Sequence, residues 1–148
     1  MLWRVKPGFM KYQLRPVEVD FALRTTNLHF QVSERADLPV VVDIQTREAL
    51  ISADVNETTV NRTAEIIFTS LAKLEFTMAN FWEFNYEGYE TIDKEQIEHG
   101  FYQVLNSPWN KDDFDPLKRF NLVHFLLIGY DSYLELLANK DFSTKILH

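Results

Sequence analysis

Cysteine is absent from the 148-residue chain, which excludes disulfides, thiolate metal sites and a cysteine nucleophile. Its absence is easiest to reconcile with a reducing compartment, so a cytoplasmic location is expected. Glycine is scarce, with four residues in all, and neither Gly-x-Gly-x-x-Gly nor Gly-x-x-x-x-Gly-Lys occurs, so no phosphate-cradling loop is expected. The four histidines, His29, His99, His124 and His148, include no pair three to five residues apart and no His-Glu-x-x-His, and zinc is not expected. Long apolar runs are missing too. The longest, Phe125 to Ile128, falls far short of the roughly 20 residues a spanning helix needs. The basic stretch Met1 to Arg15 is interrupted by Pro7, Gly8 and Lys11, so it has no signal-peptide core. Basic residues are outnumbered, 15 Lys and Arg against 22 Asp and Glu. A net charge of −7 argues against phosphate neutralisation as the chain's task, and neither nucleic acid nor membrane is an expected partner.

What is present is a core. Hydrophobic residues make up 46% of the chain, enough for one self-sufficient domain spanning residues 1–148. Period-two alternation marks the first third: Val17, Val19, Phe21 and Leu23 on one face, then Leu28, Phe30 and Val32. Leu38 to Ile44 and Glu48 to Ala53 complete an expected four-strand meander, joined by short polar turns such as Gln45-Thr46-Arg47. The period then changes. Val60, Ala64, Ile67, Leu71, Leu74, Met78 and Phe81 lie at helical spacing, predicting one long core-facing helix, with Asp54 and Glu57 or Asn56 as its cap. Asp93 and Gln96 followed by Ile97, Phe101, Val104 and Leu105 predict a shorter second helix, stopped at Pro108. Trp109 to Pro116 reads as an exposed loop. Asn121 to Ile128 and Tyr133 to Ala138 read as a hairpin whose first strand is buried on both faces. The expected fold class is therefore α+β: an antiparallel sheet of about six strands, the meander plus the hairpin, packed on one long and one shorter helix.

Chemical motifs are weak. Asn110, Asp112, Asp113 and Asp115 superficially suggest calcium, but lack the glycine and the bidentate glutamate of an EF-hand loop. Ser132 beside Asp131, downstream of His124, has the residue types of a triad without a nucleophile elbow, and turn chemistry explains Gly129 to Ser132. His124 is expected to be a buried neutral imidazole bonded to backbone. Glu135 is the one acid bracketed by apolar residues, and alternation puts it with Tyr133 and Leu137 on a face expected to be open to water. No catalytic residue and no cofactor are assigned.

Charge distribution is the one positive signal. Between Glu83 and Asp115 there are nine acids and two bases, so this segment carries −7 and the remainder, with 13 of each sign, is neutral. Aromatics interleave with the acids. A recognition surface is expected from Trp82, Glu83, Tyr86, Glu87, Tyr89, Glu90, Glu95, Glu98, Tyr102, Trp109, Asp112, Asp113 and Asp115, with rings as anchors and carboxylates steering a basic protein partner. In size and composition the chain resembles small bacterial immunity proteins, although no motif of any one of their families is present. An acidic, aromatic face without a catalytic motif points to a non-enzymatic binder, such as an immunity protein or antitoxin blocking a basic toxin or nuclease. Two alternatives are a small-molecule binder with an apolar pocket between sheet and long helix, and an enzyme using His124 with Glu135 or Asp131 as acid and base.

Overall fold

Strand alternation, not helical spacing, organises the chain. The computed structural model describes residues 11–23, 27–35, 38–51, 57–85, 87–98 and 100–147. Eleven strands run in the order β1 (Tyr12–Pro16), β2 (Ala22–Leu23), β3 (His29–Gln31), β4 (Val40–Ile51), β5 (Glu57–Phe68), β6 (Lys73–Thr77), β7 (Tyr89–Thr91), β8 (Gly100–Val104), β9 (Leu122–Ile128), β10 (Tyr133–Asn139) and β11 (Ser143–Leu147). The two helices, α1 (Phe81–Phe84) and α2 (Lys111–Phe114), are single turns. One sheet has the order β6-β10-β9-β8-β1-β7 and is antiparallel except for the β1–β7 pair. The other has the order β11-β5-β4-β2, with β3 also pairing β4.

The two sheets face each other across an apolar core. Val40, Val42 and Ile44 of β4 and Ala64, Ile66 and Phe68 of β5 meet Phe101 of β8, Phe125 and Leu127 of β9, and Leu134, Leu136 and Ala138 of β10. Phe68 sits among three rings, with centroids 5.8 Å from Phe101, 5.1 Å from Phe125 and 6.0 Å from Phe142. The opposite face of the six-stranded sheet is buried as well: Leu126, Ile128, Tyr133, Tyr102, Val104 and Leu14 pack under Phe81 of α1 and Tyr89. Strands β9 and β10 are thus the middle of three layers. A strand covered on both faces needs apolar residues at nearly every position, which explains the run Leu122 to Ile128.

The α+β expectation is overturned. The long helix does not form: β5, the Ser70 turn, β6 and α1 occupy its place. Six of the twelve β5 residues are β-branched, which favours a pleated strand, and burial there follows period two, with Ala64, Ile66 and Phe68 inside. Met78, on the supposed helical stripe, is 84% exposed. The proposed cap residues Asp54 and Asn56 lie outside the described residues. Nor does the second helix form. Phe101 and Val104, three apart, lie on opposite faces of β8, while the Asp93 carboxylate accepts the Glu95 N–H in a local turn instead of capping a helix.

The meander is also redrawn. Its third and fourth strands are one continuous strand, β4, because Thr46 is buried within the ladder and its hydroxyl donates to the Arg62 carbonyl at 3.3 Å. Val17, Val19 and Phe21 pack inward with the expected alternation, but ladder pairing begins only at Ala22. The exposed loop at Trp109 to Pro116 contains α2, capped by Asn110. The hairpin of β9 and β10 runs from Ile128↔Tyr133 to Leu122↔Asn139, and the Gly129 N–H donates to the Ser132 carbonyl in its turn. With no long helix, the pocket expected beneath one has no counterpart among the described residues.

Because Phe68 fills the ring cluster between the sheets, Phe68→Ala is expected to destabilise the fold by about 3–5 kcal/mol. Equilibrium denaturation in urea measures this as a lower midpoint at unchanged slope.

Candidate functional site

The stretch from Phe81 to Glu98 supplies the edge strand β7 of the six-stranded sheet and, on either side of it, an outer layer that packs on the sheet through Phe81, Trp82 and Ile97, and the side chains sort by polarity. Asn80 starts α1, its side-chain oxygen accepting the Trp82 and Glu83 N–H groups at 3.1 and 3.3 Å. Phe81 and Tyr89 turn inward, with ring centroids 5.1 Å apart, and Tyr89 lies 5.2 Å from Tyr12. Trp82 is half-buried and its indole N–H donates to the Ile97 carbonyl at 3.3 Å, tying the two ends of the layer together. Tyr102 is buried, its hydroxyl taking the Glu98 N–H at 3.1 Å, and desolvation pushes its phenol above the ordinary tyrosine value. Tyr86 lies outside the described residues.

Outward from this layer point Glu83, Glu87, Asp93, Glu95 and Glu98, all exposed, together with two apolar side chains, Phe84 at 39% and Ile92 at 47% exposure. Glu90 is held in place. Its carboxylate accepts from Lys94 at 2.8 Å and from the Gln13 side chain at 2.5 Å, and these bonds, that from Lys94 first, keep the carboxyl below the usual glutamate range. Asp93 is likewise held low, by the Glu95 N–H and then by the Thr91 hydroxyl.

The remaining acids belong elsewhere. Asp112 and Asp113 are exposed on α2, whereas Asp115 is buried and accepts the Arg119 and Phe120 N–H groups at 2.8 and 2.9 Å. Phe114 of α2 and Leu122, at the start of β9, line one cleft, while Phe81 packs on Tyr133 opposite Ile128, at the end of β9. Six residues of strand separate those ends by roughly 20 Å. The acidic third is therefore two patches. The larger, from Glu83 to Glu98, has six acids and one lysine, and the smaller lies on α2.

Trp109 is not part of either patch. Its indole stacks on the His124 imidazole at 4.1 Å and 6°, and the Lys73 ammonium lies 4.3 Å from the same indole. Beneath it the structure brings together two residues that the sequence left apart. His124 and Glu135 lie on the outer face of β9 and β10 as diagonal neighbours, His124 pairing directly with Leu137. The Nε2 of His124 is 3.2 Å from the Glu135 carboxylate, and its Nδ1 is 2.6 Å from the Ser107 hydroxyl oxygen. Glu135 is fully buried and His124 2% exposed, which corrects both the water-facing glutamate and the backbone-bonded imidazole. Trp109 and the Ser107 loop cover His124 on a face that alternation alone leaves open.

Ser107 had no sequence signal, standing in Asn106-Ser107-Pro108 at the supposed end of a helix. Its loop is fixed by Asn106, whose side chain accepts the Gln13 N–H at 2.6 Å and donates to the Lys11 carbonyl at 3.0 Å. Asp131, the other acid considered with His124, lies in the β9–β10 turn at the far end of the hairpin. His29 is exposed beside Asp43, and His99 and His148 lie outside the described residues. Among the described residues no group of three or more His, Cys, Asp or Glu side chains is placed to hold a metal ion, and no helix is long and apolar enough to cross a membrane.

Since the Glu90 carboxyl is held low in the folded chain, it binds fewer protons there than when unfolded. Its contribution to stability is present above the ordinary glutamate value and is lost as pH falls through the lowered one. Carbon-13 NMR titration is expected to find the Glu90 carboxyl titrating below that ordinary value, and Lys94→Ala is expected to raise it. Comparison of the chain with family models, with characterised proteins and with solved structures finds no significant match.

Proposed function

We propose that the protein binds a basic partner protein through the outer layer from Glu83 to Glu98, in the manner of an inhibitor that blocks a basic toxin or nuclease. One observation carries the reading: five of the nine exposed side chains described in this stretch are carboxylates, the one exposed base, Lys94, is paired with Glu90, and Phe81 and Tyr89 are turned into the core, so the outer surface is predominantly acidic. The anchoring role therefore moves from the buried Tyr89 and Tyr102 to Phe84 and Ile92, which among the described residues are large apolar side chains exposed between these acids. Aligned carboxylates attract a lysine- and arginine-rich surface at long range and raise the association rate, an effect that fades as salt shortens the Debye length from about 10 Å at 0.1 M. Glu90 is paired internally and supports the layer's shape more than its field.

The test combines charge reversal with salt. Glu83→Lys, Glu87→Lys, Glu95→Lys and Glu98→Lys together are expected to slow association with a captured partner at least about tenfold at low ionic strength, leaving the unfolding midpoint nearly unchanged. Stopped-flow association rates across a salt series read both effects. A tight partner whose association ignores salt and survives the four reversals contradicts the proposal.

A second reading rests on a separate feature, a cleft of about 510 Å³ lined by Leu38, Val40, Leu71, Ala72, Phe114, Phe120 and Leu122, with Ser33, Glu34, Arg35 and Ser70 completing its wall. Its volume suits a small apolar ligand. Binding there is expected to raise the melting temperature with medium-chain alcohols or carboxylates, and Leu122→Asp is expected to abolish the shift. No shift across such a series removes this alternative.

A further inference from the structure

The hydrogen-bonded chain from Ser107 to Glu135 is not used by a binding surface, and it holds a hydroxyl, an imidazole and a carboxylate in the order that acyl transfer requires. We propose that Ser107 is an activated nucleophile, with His124 as its base and Glu135 orienting the imidazole, and that it accepts the acyl group of a small ester or thioester.

Three observations carry this. The hydroxyl–imidazole distance of 2.6 Å and the imidazole–carboxylate distance of 3.2 Å lie within the range over which a base activates a nucleophile and is itself oriented by a third group. The imidazole cannot turn away, because both nitrogens are engaged and one ring face is stacked under Trp109. The ends of the chain also differ in access. His124 and Glu135 are buried, whereas Ser107 is partly exposed, so the serine is the member of the three that lies nearest solvent. The hydroxyl oxygen already accepts the Trp109 N–H at 3.0 Å, which leaves its own proton free to point at Nδ1. Here Nδ1 faces the serine and Nε2 the carboxylate. Either nitrogen serves as base when the other carries the proton.

In the reaction, the Ser107 oxygen bonds to the carbonyl carbon while the carbonyl electron pair moves onto its oxygen, and the hydroxyl proton passes to His124 Nδ1. Collapse breaks the bond from carbon to the leaving oxygen or sulfur, and the leaving group takes that proton. Water then attacks the acyl-serine in the same manner, giving its proton to His124, and returns the free hydroxyl and a carboxylic acid.

The experiment uses the intact folded chain with a fluorophosphonate probe, which bonds phosphorus to the serine oxygen and releases fluoride and a proton. A single adduct mapping to Ser107 by peptide mass spectrometry is expected, with none in Ser107→Ala. Hydrolysis of 4-nitrophenyl acetate is expected to fall about 10²–10⁴-fold in the same variant. Since His124→Gln or Glu135→Gln alters a buried pair, the base is tested through Ser107→Cys, which introduces the only thiol in the chain. At pH 6 that thiol is expected to react with iodoacetamide at least about tenfold faster in the folded protein than in guanidinium, because an adjacent imidazole favours the thiolate. No adduct on the folded chain, an adduct that survives Ser107→Ala, or a folded thiol no faster than the unfolded one each overturns the proposal.

Discussion

Strands β9 and β10 must be kept from water on both faces, and the other elements are arranged around that requirement. One face is closed by the second sheet through Ile66, Phe68, Val42 and their neighbours. The other is closed by α1 and the stretch that follows it, through Phe81, Trp82, Tyr89 and Ile97. Burial is worth roughly 1.5–3 kcal/mol for each large apolar side chain, so a hairpin with nearly every position inside is both the main source of stability and the element least able to stand alone. Beyond α1 and the edge strand β7, this stretch has no regular structure among the described residues. It is held by the aromatic contacts it makes downward and by a few side-chain bonds, notably Trp82 to the Ile97 carbonyl and Glu90 to Gln13 and Lys94.

Into that dry middle layer the chain places a histidine and a glutamate. Burying either without a partner costs several kcal/mol, and removing one member of a buried pair strands the other. The hydrogen bonds from Ser107 through His124 to Glu135 offset that cost, and the stacked indole of Trp109 excludes water from one face of the ring. Such a pair is weaker evidence for stability than for a specific arrangement, because apolar residues of similar volume would satisfy the core with less desolvation. The same geometry couples three distant parts of the chain. The loop after β8 is tied to β1 through Asn106 and to β9 through Ser107.

The acidic layer and the polar chain lie on the same side of the six-stranded sheet and answer to different physics. Exposed carboxylates from Glu83 to Glu98 act through a field that reaches several ångströms into solvent and is screened by salt. The Ser107–His124–Glu135 chain acts over hydrogen-bond distances, and its imidazole and carboxylate are buried. Gln13 stands between the two systems, its side chain on Glu90 and its backbone N–H on Asn106, next to Ser107.

Several features were legible in the residues themselves. Alternation in Val17 to Leu23 and Leu28 to Phe30, the apolar run of β9 and the local excess of acid all follow from composition and period-two spacing, which depend only on a residue's position along its own strand. The false helices show the limit of that information. A spacing of three and four from Val60 to Phe81 is compatible with two strands and a turn, and the β-branched content of β5 decided between them. Whether Glu135 faces water, whether Tyr89 and Tyr102 are anchors or core, and which acids share a surface depend on what covers each face. Those coverings are long-range contacts: Ser107 meets His124 across 17 positions, His124 meets Glu135 across 11, and Asn106 meets Gln13 across 93. Sequence by itself determined the alternation in the first strands, the apolar hairpin of β9 and β10, and where the charge is concentrated. Only the tertiary structure decided which of those faces is dry, because dryness is conferred by another part of the chain.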